Sequence, residues 1–489
     1  MSTLADLYRP SLALATDLYQ LTMAQAYLAS GKADTEAAFH LFFRSNPFQG
    51  GFAVACGLTR AIEFLEGFRF AAEDLDYLAG LLGNDERPLF EPAFLRRLGE
   101  LRLACDVDAV PEGTVVFPYE PLVRVRGPIL HAQLVETALL NLVGFESLVA
   151  TKAARVCLAA RGDAVVEFGL RRAQGLDGGL SASRAAFVGG CQGTSNLLAG
   201  RLLGLPVKGT HAHSWVMAFD TELESFDAYA RAQPNNCIFL VDTYDTLDGV
   251  RHAAEVGLRL RERGHELIGI RLDSGDLAYL SIEARRILDE AGLTAAKVVA
   301  SNDLDELTIA SLKEQGARID VWGVGTRLVT GGEQAALGGV YKLGAVREPG
   351  GPWRPRVKLS EQAAKTSNPG VQQVRRFSGP QGFLADVIYD EATGLPAEPA
   401  IVDPLDPTRR KRIPAGTPGE DLLVAVMRGG RACYRSPGVR EARARLRGQL
   451  DRLHSGIKRF VHPHQYPVGL SLELHELKTR LILEARGVR

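Results

Sequence analysis

Between about Asp163 and Leu343 the chain repeats one plan: a short run rich in β-branched residues, a corner of glycine or polar residues, then an amphipathic stretch. The runs are AVVEFG (164–169), AAFVGG (185–190), LPVKGTH (205–211), CIFLVDT (237–243), LIGIRLDSG (267–275), KVVASN (297–302), DVWGVGT (320–326) and GGVYKL (338–343). They are almost continuously apolar, without the alternation a half-wet sheet requires, so they read as parallel strands covered on both faces. Helices fit the gaps. Leu277, Leu280, Ala284, Ile287 and Leu288 fall at helical spacing after LDSG, with Gly292 as a stop, and Asp303 with Glu306 forms a D-x-x-E capping box after VVASN. Eight such units either close into a barrel or stay open as a doubly wound sheet. The expectation is α/β, an irregular (β/α) barrel.

The flanks differ from this block and predict a second α/β (α+β) lobe built from the N-terminal and C-terminal segments. Residues 1–160 offer a helix near 16–30, a strand at 36–43, helices to about 100 and strands around 107–127. Residues 161–350 are the barrel. Residues 351–489 begin within the Pro- and Gly-rich stretch REPGGPWRPRVKLSEQ (347–362), return to strand-like FLADVIYD and DLLVAVM, and complete barrel and lobe. The basic stretches Arg409–Arg412 and RARLRG (443–448) read as solvated surface.

Charge narrows the partners. Lys plus Arg (57) balances Asp plus Glu (58), which leaves no electrostatic footprint for nucleic acid, so an anionic ligand must be met by local charge. The six cysteines include no C-x-x-C pair, which fits reduced thiols in a cytoplasm. The N-terminal residues MSTLADLYRPSLALATDLYQ carry acids where a secretory signal needs a basic region, and no run of 18 apolar residues occurs, so neither export nor a membrane span is expected.

In α/β folds ligands lie at the carboxyl ends of parallel strands, so the polar corners should converge. They read EFGLRR, GGCQGTSN, KGTHAHS, LVDTYDT, IRLDSGD, ASND and WGVGT. Glycine-backed amides suit phosphate, carboxylates suit ribose hydroxyls or magnesium, and three arginines and two histidines complete the set. Singly, each piece has a plainer explanation. GVGT lacks the G-x-G-x-x-G pattern, Asp273 and Asp276 could cap the next helix, and Arg171-Arg172 could be a surface pair. His211-Ala-His213 has the H-x-H spacing of barrel metal hydrolases, but His252 and His265 do not fall at strand ends, so one acting histidine fits better than a ligand pair and no protein-held metal is expected.

Taken in order, TDLYQLTMA (16–24), FFRSNPFQGGFAVACGL (42–58), EFGLRRAQGLDGG (167–179), GTHAHS (209–214), LVDTYDT (240–246), RLDSGDL (271–277), GVGTRLVTG (323–331), GGVYKL (338–343) and VKLSEQAAKTSNPG (357–370) closely resemble the nicotinate phosphoribosyltransferase family, with a family-like tail at FVHPHQYPVGLS (460–471). The resemblance implies an irregular barrel of phosphoribosyltransferase type and a homodimer with shared active sites. It implies nicotinate, phosphoribosyl pyrophosphate and ATP as substrates, with Mg2+ carried on the last two, in the salvage of nicotinate toward NAD. By the same resemblance Tyr19 and Phe168 sandwich the pyridine ring, and Arg171 faces the nicotinate carboxylate or the product phosphate, with Ser195 and Thr210 beside the ring. Arg271, Gly275, Asn302, Gly323, Gly325, Thr326 and Lys342 hold phosphate or the phosphoribosyl group, Asp273 the ribose hydroxyls, and Thr366 the donor from a loop. Arg44 reaches the site of the other subunit. The family's phosphorylated histidine matches His213 in A-H-S, although chemistry alone leaves His211 open. The sister nicotinamide-using family has aspartate after Gly-Thr, where this chain has Ser195; a hydroxyl can donate to a carboxylate that an aspartate would repel. A nicotinamide phosphoribosyltransferase and a pyridine-nucleotide sensor without turnover are the alternatives.

Overall fold

A computed structural model describes residues 12–487. The chain forms two compact units, one of residues up to Ser147 with those from Ala336 onward, the other Leu148–Ala335.

The second unit is built on a wholly parallel sheet of Ala164–Glu167, Gly193–Thr194, Ile238–Leu240, Gly269–Leu272, Lys297–Ala300 and Val321–Val324. In space the order is 193–194, 164–167, 321–324, 297–300, 269–272, 238–240. That is the cyclic order of a barrel taken in sequence, yet among the described residues no ladder joins Ile238–Leu240 to the other edge. Val207 lengthens that edge by a single parallel bridge to Thr194. The α/β class and the parallel sheet are as expected, with one seam open in the ladder.

Three helices start directly behind strand corners, and an aspartate caps each. Asp245 accepts from the Asp248 amide, Asp276 from those of Ala278 and Tyr279, and Asp305 from those of Leu307 and Thr308, at the starts of Thr246–Glu262, Leu277–Glu290 and Glu306–Glu314. Gly292 stops the second of these helices in the left-handed region at φ +72°. The cap after VVASN is thus Asp305 rather than Asp303, whose amide is taken by Asn302 Oδ1 at 2.8 Å. Glu306 turns inward instead, pairing with Lys152 at 2.6 Å and Arg155 at 2.8 Å, all three buried.

Three expected strands are corrected. AAFVGG lies at the end of the helix Leu176–Val188, where Ala182, Ala185, Ala186, Phe187 and Val188 are all buried; a helix end covered on every side has no polar face for periodicity to detect. The strand there is the two-residue Gly193–Thr194, too short to show a pattern. LPVKGTH contributes only the bridge at Val207. GGVYKL belongs to the first unit, where Gly339–Arg347 runs antiparallel to Glu36–Phe43.

In the first unit a seven-stranded sheet carries Gly339–Arg347, Glu36–Phe43, Val123–Pro128 and Asp106–Ala109 at its centre, all antiparallel neighbours. A six-stranded sheet is centred on Gly382–Asp390, between Gln372–Gly379 and Val468–Ser471. The expected first helix is present as Leu18–Ala29. RARLRG sits on the helix Val439–Arg452, which buries only Ala442 and Leu446, while Arg410–Arg412 is an exposed strand. Among the described residues no helix is long and apolar enough to cross a membrane.

Replacing Glu306 by leucine leaves Lys152 and Arg155 facing an apolar group in a buried position. The expected loss is about 3–5 kcal/mol, read as an earlier unfolding transition in urea; an unchanged midpoint would show that the pairing is not structural.

Candidate active site

The carboxyl ends of four parallel strands place their polar residues together. Arg271, near the end of Gly269–Leu272, spreads its guanidinium over three neighbours: Nε donates to Ser301 Oγ at 2.9 Å, Nη1 to Thr210 Oγ1 at 2.9 Å, and Nη2 lies 3.4 Å from Asp273 Oδ2. Ser301 also donates to Asp273 Oδ1. A rigid five-donor fork suits this arrangement, because one group can fix three segments at once. The Arg271 guanidinium carbon is 6.0 Å from the centre of the Phe168 ring.

His213 starts a short helical turn, with Nδ1 at 3.1 Å from Thr243 Oγ1 and Nε2 at 3.9 Å from both Asp242 Oδ1 and Asp273 Oδ2. Asp242 stands just beyond the strand Ile238–Leu240 and its side chain is 1% exposed. Its Oδ2 accepts from the Asp273 amide at 3.0 Å and from Ser274 Oγ at 2.6 Å, while Oδ1 accepts no hydrogen bond among the described residues. In sequence LVDTYDT is a strand-end corner, and Asp242 is not among the candidate residues. The available signal was a carboxylate at the carboxyl end of a continuous apolar run. His211 is buried, and burial first, then the nearby Arg271 and His213, hold its imidazole below the usual histidine range.

Phe168 follows the strand Ala164–Glu167, and its amide donates to Val324 O at 2.8 Å. Gly323 and Gly325 adjoin it closely. A Cβ on Gly323 would sit 2.7 Å from two ring carbons of Phe168, and one on Gly325 3.2 Å from its carbonyl oxygen. Glu167, absent from the sequence-level candidates, is wholly buried and accepts from Ser183 Oγ at 2.9 Å, Thr194 Oγ1 at 2.5 Å and the Gly169 amide. It thereby fixes the turn that presents Ser195, which is exposed and donates its amide to Glu167 O at 2.9 Å. Arg171 is exposed on the single turn Leu170–Arg172, and Thr326 is exposed at the start of Thr326–Val329. Gly275 lies in the left-handed region at φ +78°, and Asn302 holds φ +111°, a strained value for a residue with a side chain.

Tyr19, Arg44, Lys342 and Thr366 belong to the first unit. Tyr19 lies on the helix Leu18–Ala29, and burial, reinforced by Glu136, raises its phenol above the ordinary range. Arg44 follows the strand Glu36–Phe43, its guanidinium carbon 5.9 Å from the centre of the Phe42 ring. Lys342 is half-buried and donates to Tyr341 O at 3.0 Å. Burial lowers its pKa most; Glu136 opposes that shift, while Arg44 and Lys358 add to it. Thr366 lines a cavity of about 270 Å³ with Lys478, whose ammonium burial pushes down to about 8 and which donates to Asn368 Oδ1 at 2.8 Å.

Chemically, the strand-end cluster offers an imidazole held by one ring nitrogen, a fixed guanidinium, and two carboxylates of which one oxygen is buried and unengaged. Such oxygens fit a hard divalent cation or the hydroxyls of a sugar.

Comparison with known proteins agrees along the chain. Residues 14–144 match the nicotinate phosphoribosyltransferase N-terminal domain, residues 164–347 the nicotinate phosphoribosyltransferase family, and residues 371–478 the nicotinate phosphoribosyltransferase C-terminal domain. The nicotinate phosphoribosyltransferase of Bacillus subtilis (strain 168) is 42% identical, over 96% of this chain and 97% of that protein. The crystal structure of human nicotinic acid phosphoribosyltransferase superposes with a TM-score of 0.83 at 35% identity, covering 95% of this chain and 99% of the human one. A nicotinate-nucleotide pyrophosphorylase from Pyrococcus furiosus, at 21% identity and a TM-score of 0.66 over 92% of this chain and 97% of its own, shares the fold. With all three of its segments matched, this chain belongs to the nicotinate phosphoribosyltransferase family.

Proposed function

We propose that the protein transfers the phosphoribosyl group of phosphoribosyl pyrophosphate to nicotinate, giving nicotinate mononucleotide and pyrophosphate, with ATP hydrolysis coupled to the transfer. The observation that carries this is the convergence of His213, Asp242, Arg271 and Asp273 at the strand ends of the segment that matches the family. In the transfer the pyridine nitrogen bonds to the anomeric carbon as the bond to the pyrophosphate oxygen breaks. The oxocarbenium-like transition state needs alignment and charge stabilisation more than a proton shuttle. Asp273, braced by Ser301 and Arg271, is suited to hold the ribose hydroxyls. Phe168 offers a ring face for the pyridine, with Arg171 and Ser195 as partners for its carboxylate.

The contact of Nδ1 with Thr243 supports Nε2 of His213 as the phosphoryl acceptor: an Nδ1–H donated to the hydroxyl leaves the Nε2 lone pair to attack the γ-phosphorus of ATP. The bond to ADP breaks, and water later removes the phosphoryl group, restoring the imidazole and releasing phosphate. Coupling then acts by changing the affinities for donor and products. Magnesium arrives with the polyphosphates, and Asp242 Oδ1 and Asp273 are the donors that fit it. When bound, it screens phosphate charge. Gly275, Asn302, Gly323, Gly325 and Thr326 serve the phosphates in this reading, and the first unit's Lys342 and Thr366 the donor. Arg44 acts in the site of a second copy of the chain.

Purified protein given phosphoribosyl pyrophosphate and radiolabelled nicotinate should form labelled mononucleotide, faster with ATP, and use nicotinamide poorly. Equal use of the two pyridines would defeat the specificity argument. Ser195→Asp should weaken nicotinate use by about 1–3 kcal/mol through like-charge contact in a partly desolvated pocket.

His213→Ala should keep slow transfer without ATP while losing ATP stimulation and acid-labile labelling from γ-labelled ATP. Labelling that persists in this variant would place the phosphoryl group elsewhere.

Mixing inactive Arg44→Ala and Asp273→Ala proteins should recover part of the activity through hybrid dimers, in which one site receives both native residues. Verified subunit exchange without recovery would show that Arg44 serves no partner's site.

A further inference from the structure

The chain from Gly209 to His213 crosses the open seam of the parallel sheet with almost no backbone support. Lys208 N still bonds Thr194 O at 3.0 Å, and Trp215 N bonds Ala212 O at 3.0 Å, but among the described residues no backbone-to-backbone hydrogen bond engages residues 209–211. Side chains do that work instead. Thr210 accepts from Arg271, His213 meets Thr243, and His211 Nε2 accepts from the backbone amide of Leu240 at 3.2 Å. Leu240 is the last residue of the edge strand, and its neighbours Cys237 and Val241 bond the 268–271 segment on the other side. Its amide therefore faces the seam, where a closed ladder would supply a carbonyl. Leu240 is wholly buried, so without His211 this donor has nothing in its place.

We propose that His211 is a positioning residue: its imidazole replaces the missing ladder bond and holds Thr210 and His213 in register with Arg271 and Asp242. The ring is suited to this. It is 8% exposed, packs 5.0 Å from the Tyr229 ring centre and 6.2 Å from that of Phe226, and its Nδ1 lies 3.3 Å from Ala212 O. Nδ1–H donation to that carbonyl leaves Nε2 as the acceptor Leu240 requires. The other residues of the segment are half-buried or exposed.

This inference rests on the proposed role of His213, and two variants separate it from that role. His211→Phe keeps the aromatic packing without an acceptor, whereas His211→Gln keeps an acceptor. In the full-length protein, His211→Phe should speed hydrogen exchange at the Leu240 amide by about ten- to a hundredfold while amides of the 297–300 strand stay protected. It should also cut the rate of labelling from γ-labelled ATP about tenfold or more, with His211→Gln restoring much of both. Unchanged Leu240 exchange in His211→Phe, or faster exchange with wild-type labelling, overturns the proposal. Absence of labelling in the wild-type protein would instead refute the phosphohistidine reading, leaving the exchange result to be judged alone.

Discussion

The guanidinium of Arg271 is the tie on which the strand-end cluster depends. Parallel strands deliver their last residues to a common edge, but nothing in a ladder fixes the corners beyond that edge. Arg271 does so by bonding Ser301 behind one strand and Thr210 across the seam, with Asp273 at salt-bridge distance just past its own strand. A lysine could not serve, since a point charge on a flexible stem lacks the fixed fork. Because Ser301 also bonds Asp273, acid and base are held together without either being neutralised by a distant partner.

Around that tie the charges suit the cation and the phosphates of the proposed chemistry. Asp242 is sunk beneath the cluster, spends one oxygen on the Asp273 amide and Ser274, and keeps the other toward His213. A buried carboxylate oxygen without a hydrogen bond is costly unless a ligand or cation completes it. The proposed chemistry accounts for that expense, since both substrates that carry polyphosphate bring a divalent cation with them. Glu167 is the contrasting case: equally buried, it accepts from Ser183, Thr194 and the Gly169 amide and works as a brace for the Phe168 and Ser195 turns.

Much of this was legible along the chain. Apolar runs ending in Asp, Gly or Asn located five of the six parallel strands, and the caps Asp276 and Gly292 marked one helix at both ends. The departures have separate causes. AAFVGG reads as a strand because a helix buried on all sides loses its polar face, whereas GGVYKL is a strand as expected but an apolar run does not say which sheet it joins. In sequence nothing separates Asp242 from Asp245, which caps a helix; only depth distinguishes them.

The sequence by itself determined what local physics can encode: alternating strand and helix, the positions of corners and caps, and the ordered motifs that identify the family. What surrounds each of the two histidines, His211 and His213, was decided by tertiary structure alone. Both have the same chemistry and the same spacing, so the difference arises only from what surrounds them. His211 fell among aromatic rings against an unpaired amide at the open seam, and His213 fell beside Thr243 and two carboxylates. The seam depends on how strands far apart in sequence pack, and no window of residues contains that information.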